Sequence, residues 1–384
     1  MMSKKIKVLS VFGTRPEAIK MVPLVKELNS RENIDSIVCI TAQHRQMLDQ
    51  VLNMFNITPE YDLDIMKDSQ SLADITTGAL QGLYTVIQES NPDIVLVHGD
   101  TTTTLAGSLA AFYNKVKLGH VEAGLRTFNN YSPYPEEVNR RLTGVVADLH
   151  FAPTATNKRN LLAEGTDESK IYVTGNTVID ALTNTVSAEY EFANKTLASL
   201  NTDKKLILLT AHRRENWGEP LENICHAVKN IALDYASDVH FIYPVHLNPI
   251  VRNTVYELLD GIPNISLIDP LGVADLHNIM ARSYFVMTDS GGLQEEAPSL
   301  GKPVLVLRQE TERPEAVEAG TVQIIGTEED EIVKGCAKLL NDKMIYDKMA
   351  ESVNPYGDGQ ASSRIADAIE YEFGIRKHRS GEFI

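Results

Sequence analysis

Four residues with acid–base side chains stand where strand-like runs end or a helix begins. Asp100 follows the apolar run DIVLVHG, Glu122 follows LGHV, and His212 follows LILLTA. Glu136 opens a helix-like stretch after the segment SPYP. Ligands of open α/β sheets bind beyond the carboxyl ends of the strands, so acid–base chemistry on a bound ligand is one interpretation. Helix capping for Asp100 and Glu136, and a structural role for His212, are the plainer alternatives.

A second group of residues has the chemistry of an anion site. Residues 283–301 read SYFVMTDSGGLQEEAPSLG, where an apolar run breaks at Ser290, Gly291 and Gly292 before helical composition resumes. Glycines let backbone N–H groups approach a phosphate, and a new helix offers unpaired N–H donors. Glu296, about one turn later, is placed to accept bonds from ribose hydroxyls. An isolated SGG segment is more often an ordinary strand-to-helix turn.

Cations accompany both groups. Arg15 lies in the turn of VFGTRPEAIK, where Pro16 suits the first helical position, and Lys20 lies one turn into that helix. Arg313 follows the SGG segment along the chain. All of them are candidates to contact a diphosphate. For Arg15 and Lys20 alone, a pair of surface cations is the plainer interpretation.

Strand-like runs alternate with helix-like stretches along the whole chain, which is typical of βαβ units and parallel sheets. The first series of predicted strands lies near 6–12, 36–41, 93–98, 116–121 and 148–152. The second series lies near 171–174, 206–211, 239–244, 265–268, 283–288 and 303–307. We therefore predict an α/β fold with two doubly wound, Rossmann-like domains that face a central cleft.

The second series starts afresh after a polar stretch that precedes KKLILLTAH. We place the N-terminal domain at residues 1–175 and the second domain at 176–361, with the join near Gly175. A last helix, predicted over 362–384 after the turn signal NPYGDGQ, is expected to pack back on the first domain.

The composition is that of a globular protein, and the 384 residues favour two domains. A net charge of −16 argues against nucleic-acid and membrane-surface partners. The cysteines Cys39, Cys225 and Cys336 are scattered without metal-ligand spacing, so no metal site is expected, and Cys39 is predicted to be a buried thiol. The N-terminal apolar run is too short for a signal peptide and no run is long enough to span a membrane, so we expect a cytoplasmic protein.

The same residues lie in long motifs that follow one another along almost the whole chain. The motifs are VFGTRPEAIK, HGDTTTT, HVEAGLRT, SPYPEEVNR, TGNTVIDAL, TAHRREN, PVHLNP, TDSGGLQEEAPSLGKPVLVLR and TERPEA. With them the chain resembles the non-hydrolysing bacterial UDP-N-acetylglucosamine 2-epimerases. The resemblance implies a glycosyltransferase-B fold, a cytoplasmic homodimer, and interconversion of UDP-GlcNAc and UDP-ManNAc. It also implies that ManNAc is supplied to cell-envelope polymers such as teichoic acid linkages or capsules.

The resemblance assigns roles to individual positions. The residues that match the family's catalytic set are Asp100, Glu122, Glu136 and His212. The residues that match its UDP-binding set are Arg15, Lys20, Ser290, Gly291, Gly292, Glu296 and Arg313. Some members frame the uracil with Gln and Phe where this chain has Leu271 and Leu276, so backbone groups are expected to recognise the base here.

Many Gram-positive-type members of this family bind a second UDP-GlcNAc as an activator beside the active site. The matching residues here are Gln43, Gln46, Glu136, Arg213 and His246. Some members have an Arg after KD in the segment that matches MKDSQ, whereas this chain has Ser69. Activation by a second substrate molecule is therefore expected with one charged contact fewer.

The implied reaction explains why these residue types are needed. The C2 proton of the sugar is not acidic until the anomeric C–O bond breaks, and its loss then gives a glycal. Return of a proton to the opposite face, followed by UDP, gives the epimer. This route needs a positive field for the diphosphate and acid–base groups on both faces of the ring. It needs no nicotinamide or other cofactor, and the chain has no GxGxxG segment.

Three other functions fit part of the pattern. A retaining glycosyltransferase has the same fold but requires an acceptor, and a hydrolysing epimerase releases free ManNAc and UDP. A UDP-sugar-binding regulator without turnover belongs to a different class. The presence of all four acid–base candidates argues against that regulator.

Overall fold

The computed structural model describes residues 5–42, 45–67, 70–200, 203–311 and 313–383, apart from the side chains of residues 46 and 47. The chain divides into two compact units. The first comprises Met1–Asn184 and Tyr356–Ile384, and the second comprises Thr185–Pro355. Among the described residues, no helix is both long and apolar enough to cross a membrane.

The first unit is built on a seven-stranded sheet within the described part of the chain. Its strands are β1 (Ile6–Phe12), β2 (Ile34–Ile40), β3 (Tyr61–Asp62), β4 (Ile94–His98), β5 (Lys117–Val121), β6 (Leu149–Ala152) and β7 (Ile171–Val173). The order is β3-β2-β1-β4-β5-β6-β7, and neighbouring strands are parallel. Since β1 and β4 are adjacent, the order reverses there, and ligands of such sheets bind at this point.

Over its described residues, the second unit is built on a six-stranded parallel sheet. Its strands are β8 (Lys205–Thr210), β9 (Val239–Pro244), β10 (Ile265–Ile268), β11 (Phe285–Thr288), β12 (Val304–Val306) and β13 (Val322–Ile324). The order is β10-β9-β8-β11-β12-β13, so the reversal lies between β8 and β11. The predicted α/β fold with two doubly wound sheets is confirmed.

Helices connect the strands in both units. Those of the first unit are α1 (Arg15–Ser30), α2 (Arg45–Phe55), α3 (Leu72–Ser90), α4 (Thr102–Tyr113), α5 (Glu136–Val146), α6 (Ala155–Ala163) and α7 (Thr177–Thr185, which ends at the first residue of the second unit). Those that follow are α8 (Lys195–Ala198), α9 (Glu219–Asp234), α10 (Pro249–Leu259), α11 (Val273–Arg282), α12 (Gly291–Glu296), α13 (Pro314–Ala319), α14 (Glu329–Asn341), α15 (Lys343–Ala350) and α16 (Ala361–Glu372), the last of which belongs to the first unit. Short 3-10 turns lie at Glu168–Lys170, Arg214–Asn216 and Ala297–Leu300.

The junction between β1 and α1 shows how local sequence sets the geometry. Thr14 caps the helix in a capping box with Glu17. A Cβ on Gly13 would lie 1.9 Å from Thr41 Oγ1 and 2.6 Å from Thr103 Oγ1. Only glycine fits this close approach of three elements, which places the turn against the ends of the neighbouring strands.

The first unit extends past the predicted join at Gly175. Asn176 N donates to Tyr356 O at 2.7 Å, and the Asp180 carboxylate accepts from Ala361 N at 3.2 Å and Ser362 N at 2.7 Å. Asp180 on α7 thus satisfies the unpaired N–H groups at the start of α16. These bonds tie α7 and the C-terminal segment into one unit.

The last helix is shorter than predicted. It ends at Glu372 instead of continuing to residue 384. Gly374 adopts a left-handed backbone with φ of 75°, and Ile375 N bonds back to Glu370 O at 2.8 Å, which is a usual way to terminate a helix. Arg31 at the end of α1 pairs with Asp367 at 2.8 Å and so holds α16 against α1.

Two strands were not predicted from the sequence. Strand β3 has only two residues, Tyr61–Asp62, and therefore carries no alternating pattern. Strand β13 forms the edge beside β12 and is short, although its segment TVQII has strand composition. The three cysteines are free and buried, as expected for Cys39, and burial raises the pKa of its thiol to about 12.

Candidate active site

Two predicted acid–base residues lie close together at the carboxyl ends of neighbouring strands in the first sheet. Strands β4 and β5 are paired in register, with His98 opposite Val121. Glu122 follows β5 directly, and Asp100 lies two residues past the end of β4. Glu122 has a positive φ of 61°, an unusual backbone conformation for glutamate. Such conformations concentrate at functional sites, because the surrounding structure has to hold them in place.

The Glu122 carboxylate is buried among cationic and donor groups. Lys20 Nζ pairs with its Oε2, Asn176 Nδ2 donates to the same atom at 3.2 Å, and His98 Nε2 lies 3.7 Å away. Burial acts to raise the pKa of Glu122, but the charges of Lys20 and Arg140 outweigh it and hold the pKa well below its usual range. The side chain is therefore ionised at neutral pH.

Arg140 connects the two carboxylates and was not predicted from the sequence. Its Nη2 pairs with Asp100 Oδ2, and its Nη1 donates to Glu122 O at 2.9 Å and lies 3.7 Å from Glu122 Oε1. Its neighbour Asn139 donates from Nδ2 to Asp100 O at 3.0 Å. A signal was present, since Arg140 follows Glu136 by four residues and so shares its helix face.

The adjacent glutamates at the start of α5 have different surroundings. Glu137 is buried and accepts from Thr127 N at 3.0 Å and Phe128 N at 3.1 Å, so it orders the loop before the helix. Glu136 Oε2 is buried and has no hydrogen-bond partner among the described residues. An unsatisfied buried carboxylate oxygen is costly and calls for an explanation, such as a ligand group that it would bind.

Glu17 joins the turn that carries Arg15 to the turn that carries Asp100. Its Oε2 accepts from Gly13 N at 3.0 Å and Thr14 N at 2.8 Å, and its Oε1 accepts from Thr101 Oγ1 at 2.6 Å. Burial raises the pKa of Glu17 in spite of these bonds. Arg15 begins α1, half-buried, and burial lowers the pKa of its guanidinium.

In the second unit, Asp289 organises the loop that carries His212. It is fully buried, and its Oδ2 accepts from His212 N at 2.7 Å and Arg213 N at 2.8 Å. The ring Nδ1 of His212 lies 3.4 Å from Asp289 Oδ1. Burial lowers the pKa of His212, which leaves the imidazole neutral at physiological pH. Asp289 was not predicted, although it directly follows strand β11.

The glycine turn lies beside two arginines of the same unit. Ser290 precedes α12, which begins at Gly291. A Cβ on Gly291 would lie 3.9 Å from Arg213 Nη2 and 3.9 Å from Arg313 Cζ, so both guanidinium groups flank this backbone. Arg313 also pairs through Nε with Glu295. The start of a helix with two guanidinium groups beside it is a suitable surface for a diphosphate.

Glu296 and His246 complete the second group. Glu296 Oε2 lies 3.5 Å from His277 Nε2, and its Oε1 lies 3.4 Å from where a Cβ on Gly292 would be. The His246 ring stacks on His212 with centroids 5.5 Å apart and planes 11° from parallel.

The remaining predicted positions are distributed as follows. Leu271 is buried just before α11 and Leu276 is half-buried within it. Gln43 and Ser69 lie outside the described residues, as does the side chain of Gln46. Among the residues that the structure describes, no group of three or more His, Cys, Asp or Glu side chains is arranged to hold a metal ion.

In the first unit, Arg140 joins Asp100 and Glu122, Lys20 pairs with Glu122, and Glu136 lies one turn before Arg140 on α5. In the second unit, Arg213, Arg313 and Glu296 lie beside the glycine turn, and His246 stacks on His212. Two Rossmann-like parallel sheets in one chain are the architecture of the glycosyltransferase-B fold. The fold is similar to that of the glycotransferase of kitacinnamycin, with a TM-score of 0.65 at 13% identity over 96% of this chain and 99% of that chain. A likeness at this identity shows the fold alone.

The chain belongs to the UDP-N-acetylglucosamine 2-epimerase family, whose model matches residues 26–370. It is 57% identical over 380 residues to the UDP-N-acetylglucosamine 2-epimerase of Bacillus subtilis, with 99% of each chain covered. It is similar to the UDP-GlcNAc 2-epimerase from Neisseria meningitidis solved bound to UDP-GlcNAc, with a TM-score of 0.86 and 51% identity over 95% of this chain and 100% of that chain. The family resemblance indicated by the motifs is confirmed.

His98 beside Glu122 makes stability depend on pH. Burial lowers the pKa of His98 to about 4 from 6.5, so between these values the unfolded chain binds a proton that the folded chain does not. Stability therefore falls as the pH is lowered through this window. We expect the free energy of unfolding, measured in urea, to fall between about pH 7 and pH 5 in wild type. In His98→Gln this fall should be smaller by about 2 kcal/mol.

The control for this measurement is His226→Gln, which replaces an exposed histidine on α9 and should keep the wild-type pH dependence. An unchanged pH dependence in His98→Gln would contradict the buried neutral state of His98.

Proposed function

We propose that the chain catalyses reversible epimerisation at C2 of UDP-N-acetylglucosamine to UDP-N-acetylmannosamine. Elimination of UDP gives a glycal intermediate, and UDP adds back after the proton returns to the opposite face. The observation that carries the proposal is the pair of carboxylates, Asp100 and Glu122, at adjacent strand ends and joined by Arg140. Family membership supports the substrate, since the Neisseria meningitidis relative was solved with UDP-GlcNAc.

The second unit is proposed to hold the leaving nucleotide. Arg213 and Arg313 flank the Gly291 backbone, and this positive surface would stabilise the charge that develops on the diphosphate as the anomeric bond breaks. His212 is proposed to contact a diphosphate oxygen, and the nearby anion would favour the protonated ring, which can donate from Nε2 while Nδ1 faces Asp289. Glu296 is proposed to accept the ribose hydroxyls, and Arg15 and Lys20 to contribute to the field.

The carboxylates of the first unit are proposed to move the proton at C2. Glu122 is ionised, which is the state required of a proton acceptor. Asp100 lies next to it on Arg140, and Glu136 presents a buried oxygen with no described hydrogen-bond partner. Acid–base groups from neighbouring elements would let one side chain remove the proton and another return it.

The proposal is tested by incubating the protein with UDP-GlcNAc in D₂O and following the products by proton NMR. The epimerase is expected to give UDP-ManNAc that carries deuterium at C2. A hydrolysing epimerase would accumulate free sugar and UDP. A glycosyltransferase or a binding protein without turnover would give neither product, and that result would overturn the proposal.

The same assay tests the residues. Asp100→Asn and Glu122→Gln should bind UDP like wild type and lose at least about 100-fold in the rate of deuterium incorporation, because general acid–base groups contribute about that much. Glu89→Gln, an exposed carboxylate on α3, is the matched control and should keep the wild-type rate. A near-normal rate for either active-site variant would refute its assignment.

We also propose that a second UDP-GlcNAc activates the enzyme, through the family positions Gln43, Gln46, Glu136, Arg213 and His246. The support from the second unit is that His246 stacks on His212 and that Arg213 lies beside Gly291. Initial rates with UDP-ManNAc alone should then be low and rise when traces of UDP-GlcNAc are added. Equal rates with and without UDP-GlcNAc would exclude activation.

As a member of this family, the protein is proposed to act as a homodimer in the cytoplasm and to supply ManNAc for cell-envelope polysaccharide. Light scattering that gave the mass of one 42.5 kDa chain would exclude the dimer.

A further inference from the structure

A line of three side chains leads to Glu296 within the second unit. Thr185 Oγ1 lies 2.5 Å from His277 Nδ1, and His277 Nε2 lies 3.5 Å from Glu296 Oε2. His277 lies on α11 and is only 2% exposed, whereas Glu296 is the last residue of α12. The imidazole therefore connects α11, which follows β10, with α12, which follows β11.

The hydrogen-bonding chemistry of Thr185 and Glu296 determines which nitrogen of the His277 ring carries a hydrogen. An ionised carboxylate only accepts hydrogen bonds, whereas a hydroxyl both donates and accepts. A neutral His277 would accept the Thr185 hydroxyl at Nδ1, and a cationic one would donate to it. In both states Nε2 carries a hydrogen toward Glu296, so the contact does not depend on protonation of the ring.

The partner of the ring is itself held in place. Asn278, the next residue on α11, donates from Nδ2 to Thr185 O at 2.8 Å and accepts from Ser187 N at 2.9 Å. These bonds fix the segment that carries the Thr185 hydroxyl relative to α11. Because the ring is buried as well, it has little freedom to turn away from Glu296.

The other oxygen of Glu296 faces the glycine turn. Its Oε1 lies 3.4 Å from where a Cβ on Gly292 would be, so the carboxylate folds back over the start of its own helix. The contact with His277 is therefore what orients the carboxylate before a ligand binds. Prior orientation of this kind increases affinity because less side-chain freedom is lost on binding.

We propose that His277 is a positioning residue for nucleotide recognition, which orients the Glu296 carboxylate to receive the ribose hydroxyls of UDP. The inference rests on the proposed function, in which Glu296 binds the ribose. It deepens that function, because discrimination for the ribose hydroxyls then depends on a side chain that does not itself touch the ligand.

The test is a ratio of two dissociation constants measured by calorimetry, for UDP and for 2′,3′-dideoxyuridine 5′-diphosphate. Wild type should bind UDP roughly tenfold or more tightly than the dideoxy analogue. His277→Leu should reduce this ratio to about two, with little change in the affinity for the analogue. His277→Gln, whose side-chain amide can still donate to Glu296, should retain most of the discrimination.

Other variants make the result decisive. Thr185→Val removes the hydroxyl that orients the ring and should also lower the ratio of the two dissociation constants. His226→Leu, on the surface of α9, should leave this ratio unchanged. If folded His277→Leu keeps the wild-type ratio, or loses affinity for both ligands equally, the proposal is wrong. If His277→Leu does not fold, an unchanged ratio in Thr185→Val overturns it.

Failure of the proposed ribose contact would look different. In that case wild type would bind UDP and the dideoxy analogue equally, and Glu296→Gln would bind UDP like wild type.

Discussion

The charge on Glu122 is the constraint on which the first unit depends. A carboxylate removed from water is costly unless cations and hydrogen-bond donors replace its hydration. Lys20 from α1, Arg140 from α5 and Asn176 before α7 supply these groups. Three separate segments must therefore converge on one side chain. The parallel sheet makes this possible because the carboxyl ends of all its strands lie on the same side.

Arg140 extends this arrangement to the second carboxylate, since one guanidinium contacts Asp100 and both the backbone and side chain of Glu122. Its planar fork of donors suits such a bridge better than a lysine would. In the second unit a buried acid plays the corresponding role. Asp289 fixes the loop of His212 and Arg213 by accepting from both backbone N–H groups. In each unit, a buried carboxyl side chain orders residues that are proposed to act on the ligand.

The fold and the positions of Asp100, Glu122 and His212 could be predicted because strand ends and alternation are local patterns. The partners of these residues could not be predicted in the same way, since Arg140 and Asn176 are far from Glu122 in sequence and such pairing depends on tertiary packing. His277 was missed because a lone histidine in a helix carries no pattern. The end of the last helix depends on the backbone conformation of Gly374, which composition alone does not determine.

The central claim is that Glu122 is buried and ionised before substrate binds. It is tested most directly by ¹³C NMR of protein labelled at the glutamate carboxyl carbons, with the Glu122 resonance assigned from the spectrum of Glu122→Gln. The account predicts the chemical shift of an ionised carboxylate at neutral pH that persists to about pH 4, where an ordinary glutamate is more than half protonated. A Glu122 resonance that titrates at or above the ordinary glutamate pKa would contradict it.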